Sequence, residues 1–235
     1  MIFIVTDLTR FQNEDIVCVA GVDIKTKKCV RPLPYIEMEY CKKLNILPGA
    51  KIKGKLIKAK ELKKPHLEDK NYSELEYEGP CSSVEFEDVL KNTTYDSINE
   101  GFEGKIPGSS KVIPHNDPPG RSIISLKLKP GQITIMRDGF NPEKIKLHIL
   151  DNDEKEYKFL PITDLGFYNL AISKQTQPLL IENLNNFIQN QNRIYLRIGL
   201  SRRYCSPDGR NGFWIQVNGI YTFPDFLTEV RTHSK

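Results

Sequence analysis

Arg193-Ile-Tyr-Leu-Arg-Ile-Gly-Leu-Ser-Arg-Arg-Tyr-Cys-Ser-Pro-Asp-Gly-Arg-Asn-Gly-Phe-Trp-Ile-Gln-Val-Asn-Gly-Ile-Tyr-Thr-Phe-Pro-Asp-Phe-Leu227 is the stretch on which the fold turns. Ile194, Leu196, Ile198 and Leu200 alternate with Tyr195, Arg197, Gly199 and Ser201, the period of a strand with one buried face. Pro207-Asp208-Gly209 reverses the chain, because proline presets φ and glycine accepts the positive φ of a tight turn. A second strand follows over residues 213–217. Around the turn stand Arg202, Arg203, Tyr204, Arg210 and Trp214, the single tryptophan of the chain. Guanidinium and π surface together suit a ligand made of phosphates and bases. The same residues also describe a plain hairpin with a core tryptophan and solvated arginines.

Upstream, residues 176–191 read as a helix with Leu180, Leu184, Phe187 and Ile188 on one face. Before it come four short strand patterns: Ile124, Leu126 and Leu128; Ile133 and Ile135; Ile145, Leu147 and Ile149; and residues 157–162. Pro, Gly and Ser crowd residues 104–121, which read as a linker. In the N-terminal part, residues 2–6 and 16–22 are apolar strand patterns, and Pro32 and Pro34 should end the next strand or place it at an edge. Residues 51–60 alternate lysines with apolar residues until Leu56 and Ile57 break the phase, as a β-bulge does. Ser82 or Ser83 caps a short helix running to Leu90. The expectation is a mainly β chain with a few helices (α+β): two small OB-like five-stranded barrels in tandem, over residues 1–103 and 122–235. One continuous β-rich domain is the competing architecture.

With 235 residues, 39% hydrophobic and 27% charged, the chain has the composition of a folded globular protein. Its formal net charge of +4 permits an anionic partner without requiring one. A lysine-rich block ending near Lys64 is followed directly by an acidic one from Glu74 to Asp88. Five cysteines, odd in number and with no C-x-x-C pair, indicate neither a disulfide framework nor a zinc knuckle, and point to reduced core residues in a cytoplasmic protein. The apolar start meets Asp7 and Arg10 too soon for a signal peptide, and no stretch is long enough for a membrane span.

His66, Glu68 and Asp69 form the tightest group of histidine and carboxylates, able in principle to hold a divalent metal or to act as acid and base. Completing a metal site would need ligands such as His115 and Asp117 from the linker, and the bland alternative is a loop bonded to its own backbone. Phosphate-cradling and dinucleotide glycine motifs are absent from the sequence, as are a nucleophile elbow and a kinase signature. No cofactor is expected. Cys205, beside Arg202 and Arg203 but without an identifiable base, reads as structural. Lysines on strand faces (Lys53 and Lys55; Lys127, Lys129 and Lys146) suit either a nucleic-acid backbone or simple edge protection.

Leu47-Pro-Gly-Ala, Pro65-His-x-Glu-Asp, and above all Ile198-Gly-Leu-Ser-Arg through Trp214-Ile-Gln-Val-Asn-Gly-Ile-Tyr-Thr-Phe-Pro-Asp225 resemble the prokaryotic family described as dual OB-containing domain proteins. The resemblance spans nearly the whole chain and implies two OB-like barrels. By analogy with similar domains it also implies a link to prokaryotic conflict or nucleic-acid-processing systems, and it transfers no catalytic residue. The leading expectation is a non-enzymatic nucleic-acid or nucleotide binder using Arg197, Arg202, Arg203, Arg210, Tyr204, Trp214, Lys53 and Lys55. The alternatives are a hydrolase or nucleotide-modifying enzyme built on His66, Glu68 and Asp69, and a protein-interaction adaptor.

Overall fold

The computed structural model describes residues 1–108, 110–141 and 144–233. Its first half runs through β1 (Ile2–Arg10), β2 (Ile16–Asp23), β3 (Cys29–Leu33), β4 (Ile36–Glu37), helix α1 (Met38–Lys43), β5 (Ala50–Lys58), β6 (Asp69–Pro80) and helix α2 (Ser83–Lys91). Strand β1 pairs with both β2 and β5, which closes the circuit β1-β5-β6-β3-β2 into a five-stranded barrel, with β4 added to β2. All pairings are antiparallel except β3 with β6.

Alternation builds the barrel wall. In β5, Ala50, Ile52 and Gly54 face inward while Lys51, Lys53 and Lys55 face out. The ladder to β6 slips between Gly54 and Leu56, where the sequence predicts a bulge. Phe3, Val5, Val17, Val19, Val30 and Ile52 fill the interior, each worth about 1.5–3 kcal/mol against exposure. Strand β3 ends at Leu33, between Pro32 and Pro34, as the two prolines predict. The β2 ladder stops at Val30, so Pro32 pairs only toward β6 and its missing N–H leaves no bond unmade on the β2 side.

The second half contains β7 (Thr94–Tyr95), helix α3 (Ile98–Gly101), β8 (Val112–Pro114), β9 (Ile123–Leu128), β10 (Ile133–Arg137), β11 (Ile145–Leu150), β12 (Glu156–Pro161), helices α4 (Leu165–Ser173) and α5 (Leu180–Gln189), β13 (Arg193–Leu200), β14 (Tyr204–Cys205) and β15 (Asn211–Phe223). One sheet runs β14-β15-β13-β9-β7 with β8 on β15; β10, β11 and β12 form a separate three-stranded sheet. Among the described residues no pairing joins the two edges of the larger sheet, so the second half has two open sheets where a second barrel was expected. The expected linker is also part of this unit, since β8 pairs with β15 and Ile113 is fully buried. Residues 94–102, expected with the first barrel, belong here too. Strand β7 pairs with β9, and Ile98 and Phe102 lie in the same core as Leu126, Leu147, Leu196 and Val217.

Helix α2 starts as the sequence predicts, with a capping box between Ser82 and Glu85. It then acts as a wedge: Val89 packs on Ile4 and Val22 of the barrel, while Leu90 packs on Tyr195, Tyr221 and Phe223 of the second half. Among the described residues no helix is long and apolar enough to cross a membrane.

Candidate nucleic-acid interface

Arg197 does not reach the surface. Strand β13 carries it on the face toward the barrel, where it is fully buried. Its Nη2 lies 2.9 Å from Asp7, Nη1 donates to the Thr93 and Ser125 hydroxyls at 3.0 Å each, and Nη2 also approaches the Cys29 sulfur. Asn218 donates to the other oxygen of Asp7 at 3.2 Å. Burial alone would disfavour the guanidinium charge, but Asp7 holds it and the net shift is upward. With every donor direction satisfied from the protein, Arg197 leaves the set of ligand-binding candidates and becomes a bolt between the two halves.

His66, Glu68 and Asp69 do converge, at a second point of the same seam. The short loop before β6 turns all three toward β3, and each is less than one tenth exposed. Arg31 donates to Asp69 at 2.6 Å and to His66 Nδ1 at 2.9 Å. Glu68 accepts from the backbone N–H of Ser122 at 2.6 Å and from its hydroxyl at 3.1 Å. Arg202 closes the group from the second half, donating to Asp69 at 2.8 Å and to the Tyr35 hydroxyl at 2.7 Å. Burial, reinforced by Arg31 and Arg202, lowers the His66 pKa to about 2, so the ring is neutral. Since Nδ1 accepts from Arg31, the ring proton sits on Nε2, a buried atom with no partner. The carboxylates are already engaged by these donors, and among the described residues no group of three His, Cys, Asp or Glu side chains is arranged to hold a metal ion. His115 and Asp117 lie apart, Asp117 held by Lys105 at 2.7 Å. The cluster works as a clamp between the halves.

Lys53 and Lys55 are exposed on the barrel, but β6 brings the acidic block alongside them. Lys53 lies 2.9 Å from Glu76 and 3.3 Å from Glu78, and Lys55 lies 3.0 Å from Glu74. The basic and acidic blocks of the sequence are therefore cross-strand neighbours that cancel.

The final hairpin keeps three of the expected residues together. Arg210 lies over the Trp214 ring, Cζ 4.6 Å from the centroid, and Tyr204 is 6.4 Å from Trp214 across the β14–β15 pair. Tyr204 is 54% exposed. Trp214 is half-buried, and its indole N–H is buried without a partner. Arg203 is exposed at the rim, bonded to Asn211 at 3.0 Å. Arg210 also pairs with Asp208 across the turn. Cys205 is exposed, Cys41 buried, and the other three cysteines half-buried, so the cysteines are not uniformly core residues; all five are free thiols.

Beside this hairpin stands a group that sequence reasoning largely missed. Lys111 precedes β8, which pairs with the Trp214 segment of β15, and its Nζ reaches the Lys158 carbonyl in β12 at 3.1 Å. Burial first, then the nearby charges of Lys146 and Arg210, lower the Lys111 pKa. Next to Lys158, Phe159 is 49% exposed and holds φ at +57°, a left-handed conformation that costs a bulky residue about 1–2 kcal/mol. His148 meets the edge of its ring at 4.6 Å. The β11–β12 ladder slips at this point, which turns both Lys158 and Phe159 outward between buried Tyr157 and Leu160. That interrupted alternation, Tyr-Lys-Phe-Leu, was the one available signal. No family model matches the chain, and no curated protein matches it. The reading of this face rests on its own chemistry.

Proposed function

We propose that the protein binds single-stranded nucleic acid through the face formed by Lys111, Lys146, Lys158, Arg203 and Arg210 with Phe159, Tyr204 and Trp214. The observation that carries the reading is a part-buried Lys111, its Nζ on the Lys158 carbonyl with no carboxylate partner among the described residues, on one face with Arg210 over Trp214 and two half-exposed aromatic rings. Lys146, Lys158 and Arg210 there pair with Asp138, Glu156 and Asp208. A part-buried ammonium without a carboxylate partner is left for a phosphate to neutralise. Exposed rings beside them offer stacking surfaces for unpaired bases. A duplex buries its base faces, so stacking favours single strands.

The closed first barrel supports an OB-like assignment for that half, and with it the resemblance to dual OB-containing domain proteins. In this reading the second half is a divergent, opened relative of the first, and it carries the ligand.

Fluorescence anisotropy with short single-stranded DNA and RNA tests the proposal. The expected result is micromolar or tighter binding at low salt, with log affinity falling linearly against log salt, and quenching of Trp214. Absence of binding to either strand at low salt, by a folded protein, overturns it.

A further inference from the structure

A cleft of about 480 Å³ opens at the seam, between the barrel and α4. Its floor is apolar: Leu8, Val17 and Met38 from the barrel side, Leu165, Ile172 and Val230 from the other. That volume falls in the range of small-molecule sites, which combine an apolar lining with a few placed polar groups. Here the polar groups include three cations, Arg10, Lys42 and Arg231. The Arg10 guanidinium lies over Tyr168, its Cζ 3.8 Å from the ring centroid, and among the described residues no carboxylate is within ion-pair distance of it. Lys42 and His233 line the same cleft. The His233 Nε2 is buried without a partner, and Lys42 is engaged only loosely, 3.7 Å from Glu39.

The two lining carboxylates leave a single net positive charge. Of the two lining carboxylates, Asp164 is held by Arg231 at 3.1 Å, and Glu14 stands exposed. Arg231 in turn gives its other nitrogen to the Ile220 carbonyl at 2.7 Å. Beside Glu14, the cleft offers one stacked guanidinium, one weakly paired ammonium and one orphaned ring nitrogen, above an aliphatic floor. Stacking on Tyr168 fixes the plane of the Arg10 fork and leaves its edge N–H groups free for a planar or tetrahedral anion.

We propose that this cleft binds a small organic anion with an aliphatic body, its head group received by Arg10 with Lys42 and His233 beside it. The body lies along Leu8, Val17, Met38 and Ile172. The site shares no residue with the basic aromatic face and stands whether or not that face binds nucleic acid.

Isothermal titration calorimetry of the full chain with octanoate, octyl phosphate and neutral octanol tests this. At least one of the two anions should bind with one-to-one stoichiometry, about tenfold or more tighter than octanol, the difference a charge-assisted hydrogen bond supplies. The preferred anion identifies the head group as carboxylate or phosphate monoester. Arg10→Gln should erase the preference over octanol, and Ile172→Trp, by filling the floor, should abolish binding of all three. Circular dichroism melts show whether each variant is folded. Silence of both anions with the folded wild-type chain overturns the proposal, as does binding that neither substitution alters.

Discussion

Arg197 and Asp7 meet across the seam between the barrel and the second half, 2.9 Å apart and both fully shielded from water. The pair is 190 residues apart in sequence, so it forms only when the two halves dock. Desolvating both ions is costly, and breaking such a pair by removing one partner leaves an uncompensated buried charge. Arg197→Met is therefore expected to destabilise the chain by about 3–5 kcal/mol. Adding Asp7→Asn should recover part of that loss instead of adding to it, since the stranded carboxylate disappears. Urea denaturation of the single and double variants measures the coupling; strictly additive losses would refute the bolt.

His66 makes the seam acid-sensitive in a definite direction. Its folded pKa is lowered to about 2, well under the ordinary 6.5 of a histidine. Between those values the unfolded chain binds a proton at this ring that the folded chain refuses. Stability from this site is complete above about pH 6.5 and is lost as pH falls, approaching about 1.4 kcal/mol per pH unit below that point. Glu68, pushed upward by burial, acts in the opposite sense, so the comparison must be between variants. Unfolding midpoints of His66→Gln and wild type, measured from pH 7 to pH 4, should converge as pH falls. Parallel curves would place the shift elsewhere.

Much of the frame was legible in the residues. The lysine alternation of β5 with its bulge at Gly54, the Ser82 cap of α2, and the strand, turn and strand of the last hairpin all follow local rules of period and turn chemistry. The helix expected over residues 176–191 forms as Leu180–Gln189, with Leu180, Leu184 and Ile188 buried. Helix α4 was missed because Leu165-Gly-Phe-Tyr-Asn-Leu-Ala-Ile-Ser has no polar stripe: it is covered by the barrel on one side and by the C-terminal segment on the other, so close that a Cβ on Gly166 would lie 1.9 Å from the Val230 carbonyl. The fate of charged residues was least legible. Whether an arginine on a strand points to solvent, as Arg203 does, or into a seam, as Arg197 does, depends on which surface docks against that strand, and no local pattern carries that information. The same holds for Lys53 and Lys55, whose partners lie about twenty residues away on β6.

Those neutralised lysines yield a contrast. Lys53→Gln with Lys55→Gln removes two charges already paired with Glu74, Glu76 and Glu78, and should leave nucleic-acid affinity and its salt slope nearly unchanged. Lys111→Gln removes a cation whose Nζ, among the described residues, donates only to a carbonyl, and should weaken binding and reduce the salt slope by about one. Anisotropy titrations over a range of salt concentrations separate the two outcomes. A larger effect from the Lys53 and Lys55 pair would move the interface to the barrel wall.

Phe159 should separate folding from binding. Its left-handed backbone is strained for a phenylalanine, and its ring is half in solvent with the edge of His148 against it. Asparagine tolerates that conformation better, so Phe159→Asn should leave folding stability within about 1 kcal/mol of wild type, the relieved strain offsetting the lost ring contact. If the ring stacks on a base, the same substitution should cost about 1–3 kcal/mol of single-strand affinity, a drop of roughly tenfold or more. Thermal melts and anisotropy on one preparation give both quantities. A stability loss well above that range with unchanged affinity would make Phe159 a packing residue, and strain held there would then need another reason.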